Sequence, residues 1–419
     1  MTSIGIVGAG VSGLHLGLLL RQHDVPVTIY TDKTGDELAA GRLLNSVAHH
    51  HPTLERERQL GVHHWDAAEY GYVCHHHYIG GPMPLVFRGD FASPSSGIDY
   101  RLYLPRLMGD FEDRGGRLAV QAVQTDDLDR LAAQHDLLVV ASGRGTHGAL
   151  FGRRAEKSPY DKPQRRLSVA LWHGIVPSEP KGVTLNISPG HGEVVEMPFY
   201  SFDGHVTALL FENIPGGDLE MLADLRYDED PQAFEQTVLA KLKEHYPGTY
   251  ERVDPSTFAV TRPQDILQGA LTPHLRADYT QLSDGKYALA VGDAHSVVDP
   301  LVGQGANSAS YSAWTLGEAI LEDLGFDELF CQRVARRRAE VVEGISDWTN
   351  FMLAPPPPHF VALLISMAQH QPICDEFTRN FGHGDRQWAM LATPDRTRTY
   401  LARNGVDMDA LLASLPGAT

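Results

Sequence analysis

Three glycines near the N-terminus restrict this chain more than any other feature: Gly8, Gly10 and Gly13 stand at G-x-G-x-x-G spacing. Ile4, Ile6 and Val7 ahead of them read as a short buried strand, and Leu14, Leu16, Leu18 to Leu20 and Arg21 behind them read as a helix. A strand, a tight turn and a helix in that order hold a pyrophosphate. Gly8 makes the turn, Gly10 lets backbone approach the phosphate, and Gly13 lets helix and strand pack closely. The free N–H groups of the helix's first turn then meet the phosphate charge. A glycine-rich structural turn is the plainer alternative, and the flanking strand and helix argue against it.

Val25 to Thr31 alternates as a second strand, and Asp32 stands just beyond it, nineteen residues after Gly13. An acidic residue at about that distance holds ribose hydroxyls in nucleotide-binding β-α-β units. Asp32 is that candidate, or else a loop-capping aspartate. A second fingerprint follows about 280 residues later. The strand Lys286 to Val291 runs into Gly292-Asp293, and the stretch Asp299-Pro300-Leu-Val-Gly303-Gln304-Gly305-Ala-Asn307 precedes a helix from Ser308 to about Glu322. Asp293 suits a polyol chain such as the ribityl linker, and the helix N-terminus suits the pyrimidine edge of a flavin. The two fingerprints together favour FAD over NAD as the resident cofactor.

At 419 residues the chain exceeds one simple core. The expected architecture is α/β: a discontinuous, Rossmann-like FAD-binding domain (residues 1–65, 98–165 and 270–335), an inserted antiparallel β-sheet substrate domain (66–97 and 166–269), and a C-terminal helical region (336–419). The balance of 35 Lys plus Arg against 53 Asp plus Glu gives a net charge of −18, which repels phosphate backbones and anionic lipid. Neither a nucleic acid nor a membrane is an expected partner. Three cysteines with no C-x-x-C pair support neither a disulfide framework nor a thiolate zinc site, and point to a reducing cytoplasm. The N-terminal apolar stretch lacks a basic leader, and the longest apolar run, Phe360 to Met367, reads as a core helix. The histidine triplets at 49–51 and 75–77 invite a metal reading. None is expected, because strand alternation sends His76 to the opposite face from His75 and His77.

Gly8-Ala-Gly10-x-x-Gly13, Arg42-Leu-Leu-Asn45, Gly80-Gly81-Pro82, Asp99-Tyr-Arg101-Leu-Tyr, Ser188-Pro-Gly-His191-Gly-Glu193, Asp265-Ile-Leu-Gln-Gly269, Asp299-Pro-x-x-Gly-Gln-Gly-Ala-Asn307 and Trp348-Thr-Asn-Phe351 span nearly the whole chain. In these stretches it resembles the oxygenase subunit of two-component styrene monooxygenases. The resemblance implies an aromatic-hydroxylase (glutathione-reductase-type) FAD fold. It also implies a small NADH-dependent flavin reductase as partner, which supplies FAD already reduced to FADH2. With dioxygen as co-substrate, a flavin C4a-hydroperoxide would then epoxidise the vinyl group of styrene, a small apolar aromatic substrate. At the positions that separate styrene-preferring from indole-preferring members, the chain carries Asn45, Val47, His49, Tyr72, His75 and Ser95. Asn45 is the candidate contact near the reacting oxygen, or a turn cap. The other five would shape the substrate pocket. Arg42 and Arg101 would pair with the pyrophosphate or polyol of FAD, or are structural surface arginines. Single-component hydroxylases of this fold follow the strand equivalent to Asp136–Ala141 with an Asp-Gly motif. Ser142-Gly143-Arg144-Gly145 stands here instead, which fits flavin delivered by a separate reductase. An indole or aryl-sulfide oxygenase is the nearest alternative, and a flavin-free escort protein on the same scaffold a more distant one. A homodimer is the default expectation.

Overall fold

The structure is a computed structural model that describes residues 2–82, 84–143, 146–283 and 285–415. Two units emerge, one of residues 1–66, 98–162 and 272–346, the other of residues 67–97, 163–271 and 347–419.

The first unit is built on a run of short apolar strands. Ile4–Val7 is fully buried and lies parallel between Val27–Thr31 and Leu137–Val140, itself buried along its whole length. The sheet order is Tyr279–Gln281, Tyr287–Ala290, Leu137–Val140, Ile4–Val7, Val27–Thr31 and Arg117–Val120, with only the first pair antiparallel. Continuous apolar strands of this kind are buried on both faces. The helix Val11–Gln22 crosses between the first two strands and has ten buried residues, from Val11 to Leu20. Gly17 lets it sit close to the sheet: a Cβ there would meet Ile29 at 2.8 Å and Phe111 at 2.9 Å.

The buried charge of Arg338 in this unit is paired. Arg338 is fully enclosed and donates to Asp278 Oδ1 at 2.7 Å and to the Ala290 carbonyl at 2.7 Å. Burial pushes the Asp278 carboxyl up, but Arg338 and His295 more than offset this and leave it well below the usual carboxylate range. Asp278→Asn leaves the guanidinium without its counter-charge. It should cost about 3 kcal/mol, read as a lower midpoint in urea at pH 7.

In the second unit the strand order is Ala259–Val260, Arg166–His173, Gly204–Asn213, Gly192–Ser201, Gly182–Ser188, Gly71–Ile79 and Leu85–Gly97. The expected antiparallel sheet is therefore mixed: Gly71–Ile79 runs parallel to Gly182–Ser188, while the pairings on either side are antiparallel. Alternation within a strand fixes which face is buried, not which neighbour it takes or in which direction. The core under this sheet is Trp172 stacked on Phe258 at 4.4 Å, with Leu209, Phe211 and the helix residues Phe234, Val238 and Leu242. The helical residues from 347 onward cluster with this sheet rather than as a third body, and a single helix, Glu328–Leu353, runs through the expected boundary at 336.

Candidate functional site

Three parallel strands of the first unit end side by side, and two of them run into glycines of the expected cofactor site. After Ile4–Val7 comes Gly8 at φ +117°, where a Cβ would press on the Ala141 carbonyl oxygen at 2.6 Å. Beyond Leu137–Val140 come Ala141 and Ser142. After Tyr287–Ala290 comes Gly292 at φ +58°, where a Cβ would meet Ser12 Oγ at 2.6 Å. Both glycines occupy backbone conformations that L side chains rarely adopt. Through the Gly292 and Ser12 contact, the second fingerprint abuts the start of the first helix.

The fit to a flavin dinucleotide rests on two features. Val11–Gln22 and Gly305–Glu322 both begin without a side-chain N-cap, at Gly10 and Gln304. Helices normally satisfy their first amides with such a cap or with a ligand. In addition, a Cβ on Gly10 or Gly303 would meet nothing within 4 Å, and one on Gly305 only Val298 at 3.9 Å. Gly13 is the opposite case, its Cβ position lying 2.0 Å from the Gly8 carbonyl oxygen. Two uncapped helix starts beside open glycines suit the pyrophosphate and the electron-rich edge of a flavin. Asn45 Oδ1 adds a buried acceptor with no partner among the described residues.

The remaining expected cofactor residues divide. Asp32 follows the strand Val27–Thr31 and is exposed. Asp293 lies in the short turn Gly292–Ala294, and its carbonyl accepts from Arg276 Nη1 at 3.1 Å. Pro300 opens the turn Pro300–Val302 behind an Asp299 cap, and Gln304 Nε2 donates to the Val302 carbonyl. Arg42 is exposed. Arg101 is no surface arginine. It is 1% exposed, forked onto the Asp99 carboxylate with Nη2 at 2.5 Å from Oδ2, and it donates through Nη1 to the Gly41 carbonyl. Asn307 spends its amide inside the protein, donating to the carbonyls of Ala48 and Gly303 and accepting from His50 N and Thr53 Oγ1. Its side chain therefore ties the glycine turn at Gly303 to Ala48, His50 and Thr53. Ser142 Oγ pairs with His147 Nδ1 at 2.9 Å, while Arg144 and Gly145 lie outside the described residues.

The expected pocket residues fall in both units. In the first, Val47 is half-buried on a segment without regular structure, and His49 is buried with both ring nitrogens engaged, by Glu57 and Tyr100. In the second, Tyr72 and Ser95 are opposite each other across a strand pair, and their side chains share a hydrogen bond. His75, 2% exposed, lies 4.7 Å from Phe91, 4.5 Å from Phe381 and 6.3 Å from Tyr72, centroid to centroid. Trp348 stands edge-on to Phe381 at 5.0 Å. Phe91 and Phe381 carried no signal in the sequence, because single aromatics far apart in the chain show no periodicity, and Trp348 stood out only as part of the Trp348-Thr-Asn-Phe351 stretch. His77 stacks on Phe87 at 4.7 Å, and burial lowers its pKa to about 3. His76 points away and meets the Pro180 carbonyl, as strand alternation requires. Among the described residues Asp218, Glu244 and His245 have ligand atoms close enough to share an ion, but Lys241 Nζ already lies 2.5 Å from Asp218 Oδ2 and supplies the positive charge.

Residues 143–252 match the family described as "Styrene monooxygenase A putative substrate binding domain". The styrene monooxygenase StyA of Pseudomonas fluorescens is 48% identical over 397 residues, covering 94% of this chain and 96% of that one. This chain belongs to the styrene monooxygenase family. A second styrene monooxygenase StyA, from a Pseudomonas species, matches over the same extent at 48% identity. Among solved structures the family fold is shared with the flavin-dependent brominase Bmp2 (TM-score 0.68, 16% identity, 96% of this chain and 100% of that one). It is shared as well with PqsL of P. aeruginosa in complex with 2-aminobenzoylacetate (TM-score 0.61, 16% identity, 94% and 100%). At those identities the likeness concerns the fold.

Proposed function

We propose that this styrene monooxygenase family member epoxidises the vinyl side chain of styrene, using dioxygen and FAD that a separate NADH-dependent reductase has already reduced. What carries the reading is a site with two open-glycine helix starts for a dinucleotide flavin, in a chain 48% identical to a named styrene monooxygenase over 94% of its length. The amides after Gly8 and Gly10 would hold the pyrophosphate, with Gly13 giving helix and strand their close approach, Asp32 would hold the ribose and Asp293 the ribityl chain. The first-turn amides of the helix that begins after Gln304 would face the pyrimidine edge, where positive partial charge favours the reduced, electron-rich ring, while Gly303 closes the turn by donating to the Pro300 carbonyl. Bound reduced FAD would supply the two electrons that activate dioxygen, one of whose oxygen atoms passes to the alkene while the other leaves as water. Asn45 would contact the flavin through its buried, unpartnered Oδ1, and in the second unit Tyr72, His75 and Ser95 would shape the space for the arene, Val47 being assigned to the same role from the first. His49 supports that surface from behind, since neither ring nitrogen is left over. An alkene needs no general base, so the buried histidines near the site serve shape rather than proton abstraction. We place the enzyme in the cytoplasm, where its three buried, unbridged cysteines stay reduced.

The test is one turnover of purified protein with photoreduced FAD in oxygenated buffer, with styrene or indole and no nicotinamide. Styrene oxide in near-stoichiometric yield is expected. Hydrogen peroxide alone with both substrates, together with direct reduction of bound FAD by NADH, would sink the proposal. Oxidation of indole in preference to styrene would move the substrate and keep the rest.

A further inference from the structure

A buried chain of hydrogen bonds runs through the first unit and converges on one carboxylate. Glu57, 4% exposed, sits on the inner face of the helix His51–Leu60. Its Oε1 accepts from His49 Nδ1 at 2.6 Å and from the Tyr103 hydroxyl at 2.8 Å, and its Oε2 faces His63 Nδ1 at 3.4 Å. Because Tyr103 donates its only proton to Glu57, its oxygen must accept from His15 Nε2, at 2.8 Å. His15 is neutral, burial lowering its pKa to about 3, so its Nδ1 accepts in turn from Ser310 Oγ at 2.9 Å. Ser310 then accepts from Arg56 Nε at 2.8 Å. On the other branch His49 Nδ1 donates to Glu57, and its Nε2 shares a hydrogen bond with the Tyr100 hydroxyl at 2.7 Å. On the His15 branch the proton positions follow from Glu57 being an acceptor only and His15 being neutral.

The chain ends at one root of the segment that carries Asn45 and Val47. Residues 42–47 have no regular structure. At one root Arg101 holds the Gly41 carbonyl. At the other, Asn307 holds Ala48 and His50 by their backbones, and Glu57 with Tyr100 holds the His49 ring. We propose that Glu57 is the positioning residue for the 42–47 segment. Acting through His49 and Tyr100, its acceptor oxygens fix the register in which that segment presents Asn45 and Val47 beside the glycine turn at 303–305. The functional consequence rests on the flavin reading above; the positioning itself does not.

Three variants test this in FAD-free protein and again with FAD. Tyr100→Phe removes one hydroxyl and no packing, Glu57→Leu removes both acceptors, and Glu57→Gln keeps an acceptor at the Oε1 place. The first readout is tryptic cleavage after Arg42, which is exposed while Leu43 behind it is 2% exposed. Cleavage should speed up about tenfold in Tyr100→Phe and Glu57→Leu and stay near wild type in Glu57→Gln, since losing one buried partner shifts a local opening equilibrium by about that factor. The second readout is the FAD dissociation constant from flavin fluorescence, expected to rise about fivefold in the same two variants and to be rescued by Gln. If Glu57→Leu does not fold, Tyr100→Phe decides alone. Cleavage within about twofold of wild type in Tyr100→Phe, or Gln behaving like Leu, overturns the proposal. Faster cleavage with unchanged FAD affinity keeps the positioning and removes its link to the flavin.

Discussion

Gly10→Val is expected to weaken FAD binding about 100-fold while leaving the melting temperature of the FAD-free protein within about 2 °C of wild type. The two effects separate because of what surrounds the position. At φ −81° the backbone of Gly10 accepts an L side chain, and a Cβ would meet no protein atom within 4 Å. The space is open only to whatever the helix amides bind, so a valine excludes the pyrophosphate and disturbs little else. Gly13→Val is the control. Its Cβ would lie 2.0 Å from the Gly8 carbonyl oxygen, so the helix start itself must move. That variant should lose both FAD binding and about 3 kcal/mol of stability. Flavin titration and differential scanning calorimetry on both proteins give the comparison. A Gly10→Val protein that binds FAD normally would remove the first glycine loop from the cofactor site.

Acid should destabilise the protein well above the pH at which carboxylates protonate. Burial lowers the pKa of His15 and His77 to about 3 and that of His295 to about 4, against about 6.5 in an unfolded chain. Arg338 adds to the effect on His295, partly offset by Asp278. Each ring is neutral in the folded protein, while the unfolded chain takes up a proton as pH falls through 6.5. Stability from these groups is thus complete above about 6.5 and lost steadily toward about 4, at about 1.4 kcal/mol per pH unit for each histidine. Glu57 and Asp278 behave differently. Burial raises their pKa values, but nearby histidines and Arg338 more than offset this and depress them, so their contribution is complete above the ordinary carboxylate range and is lost only as the pH falls through it. Urea midpoints from pH 8 to pH 5 should begin to drop near pH 6.5. His77→Phe, which keeps the stacking on Phe87, should flatten the drop for the second unit. A flat profile down to pH 5 would show that these rings already carry protons in the fold.

What could be read in the sequence was whatever a few consecutive residues decide. The turn at Gly8 and the turn at Gly292 need backbone conformations that almost only glycine supplies, so the turns themselves were visible in isolation. Asp293, Gly303 and Gly305 followed from spacing alone. The Glu57 chain was invisible for the opposite reason: it joins Glu57 to Tyr103 and His15 to Ser310, 46 and 295 residues apart, and no periodicity records such a partnership. Arg101 and Asn307 were found as polar residues in the right stretches, but their commitment to Asp99, Gly41, Ala48 and His50 depends on folds of the chain that no local rule predicts. The parallel pairing of Gly71–Ile79 with Gly182–Ser188 has the same origin, since each strand alternates correctly and neither encodes its neighbour.

Asn307 bonds to Ala48, His50 and Thr53, which precede it by 254 to 259 residues. The glycine turn before it therefore takes its final shape only after more than two thirds of the polypeptide has been synthesised, however early Gly8 to Gly13 emerge. Contacts so distant in sequence form late and slowly. A nascent chain can complete its first nucleotide turn long before it can retain a flavin. Capture of the cofactor then marks a finished fold, and chains truncated before Asn307 should leave the ribosome colourless however well their first strands and helix have formed.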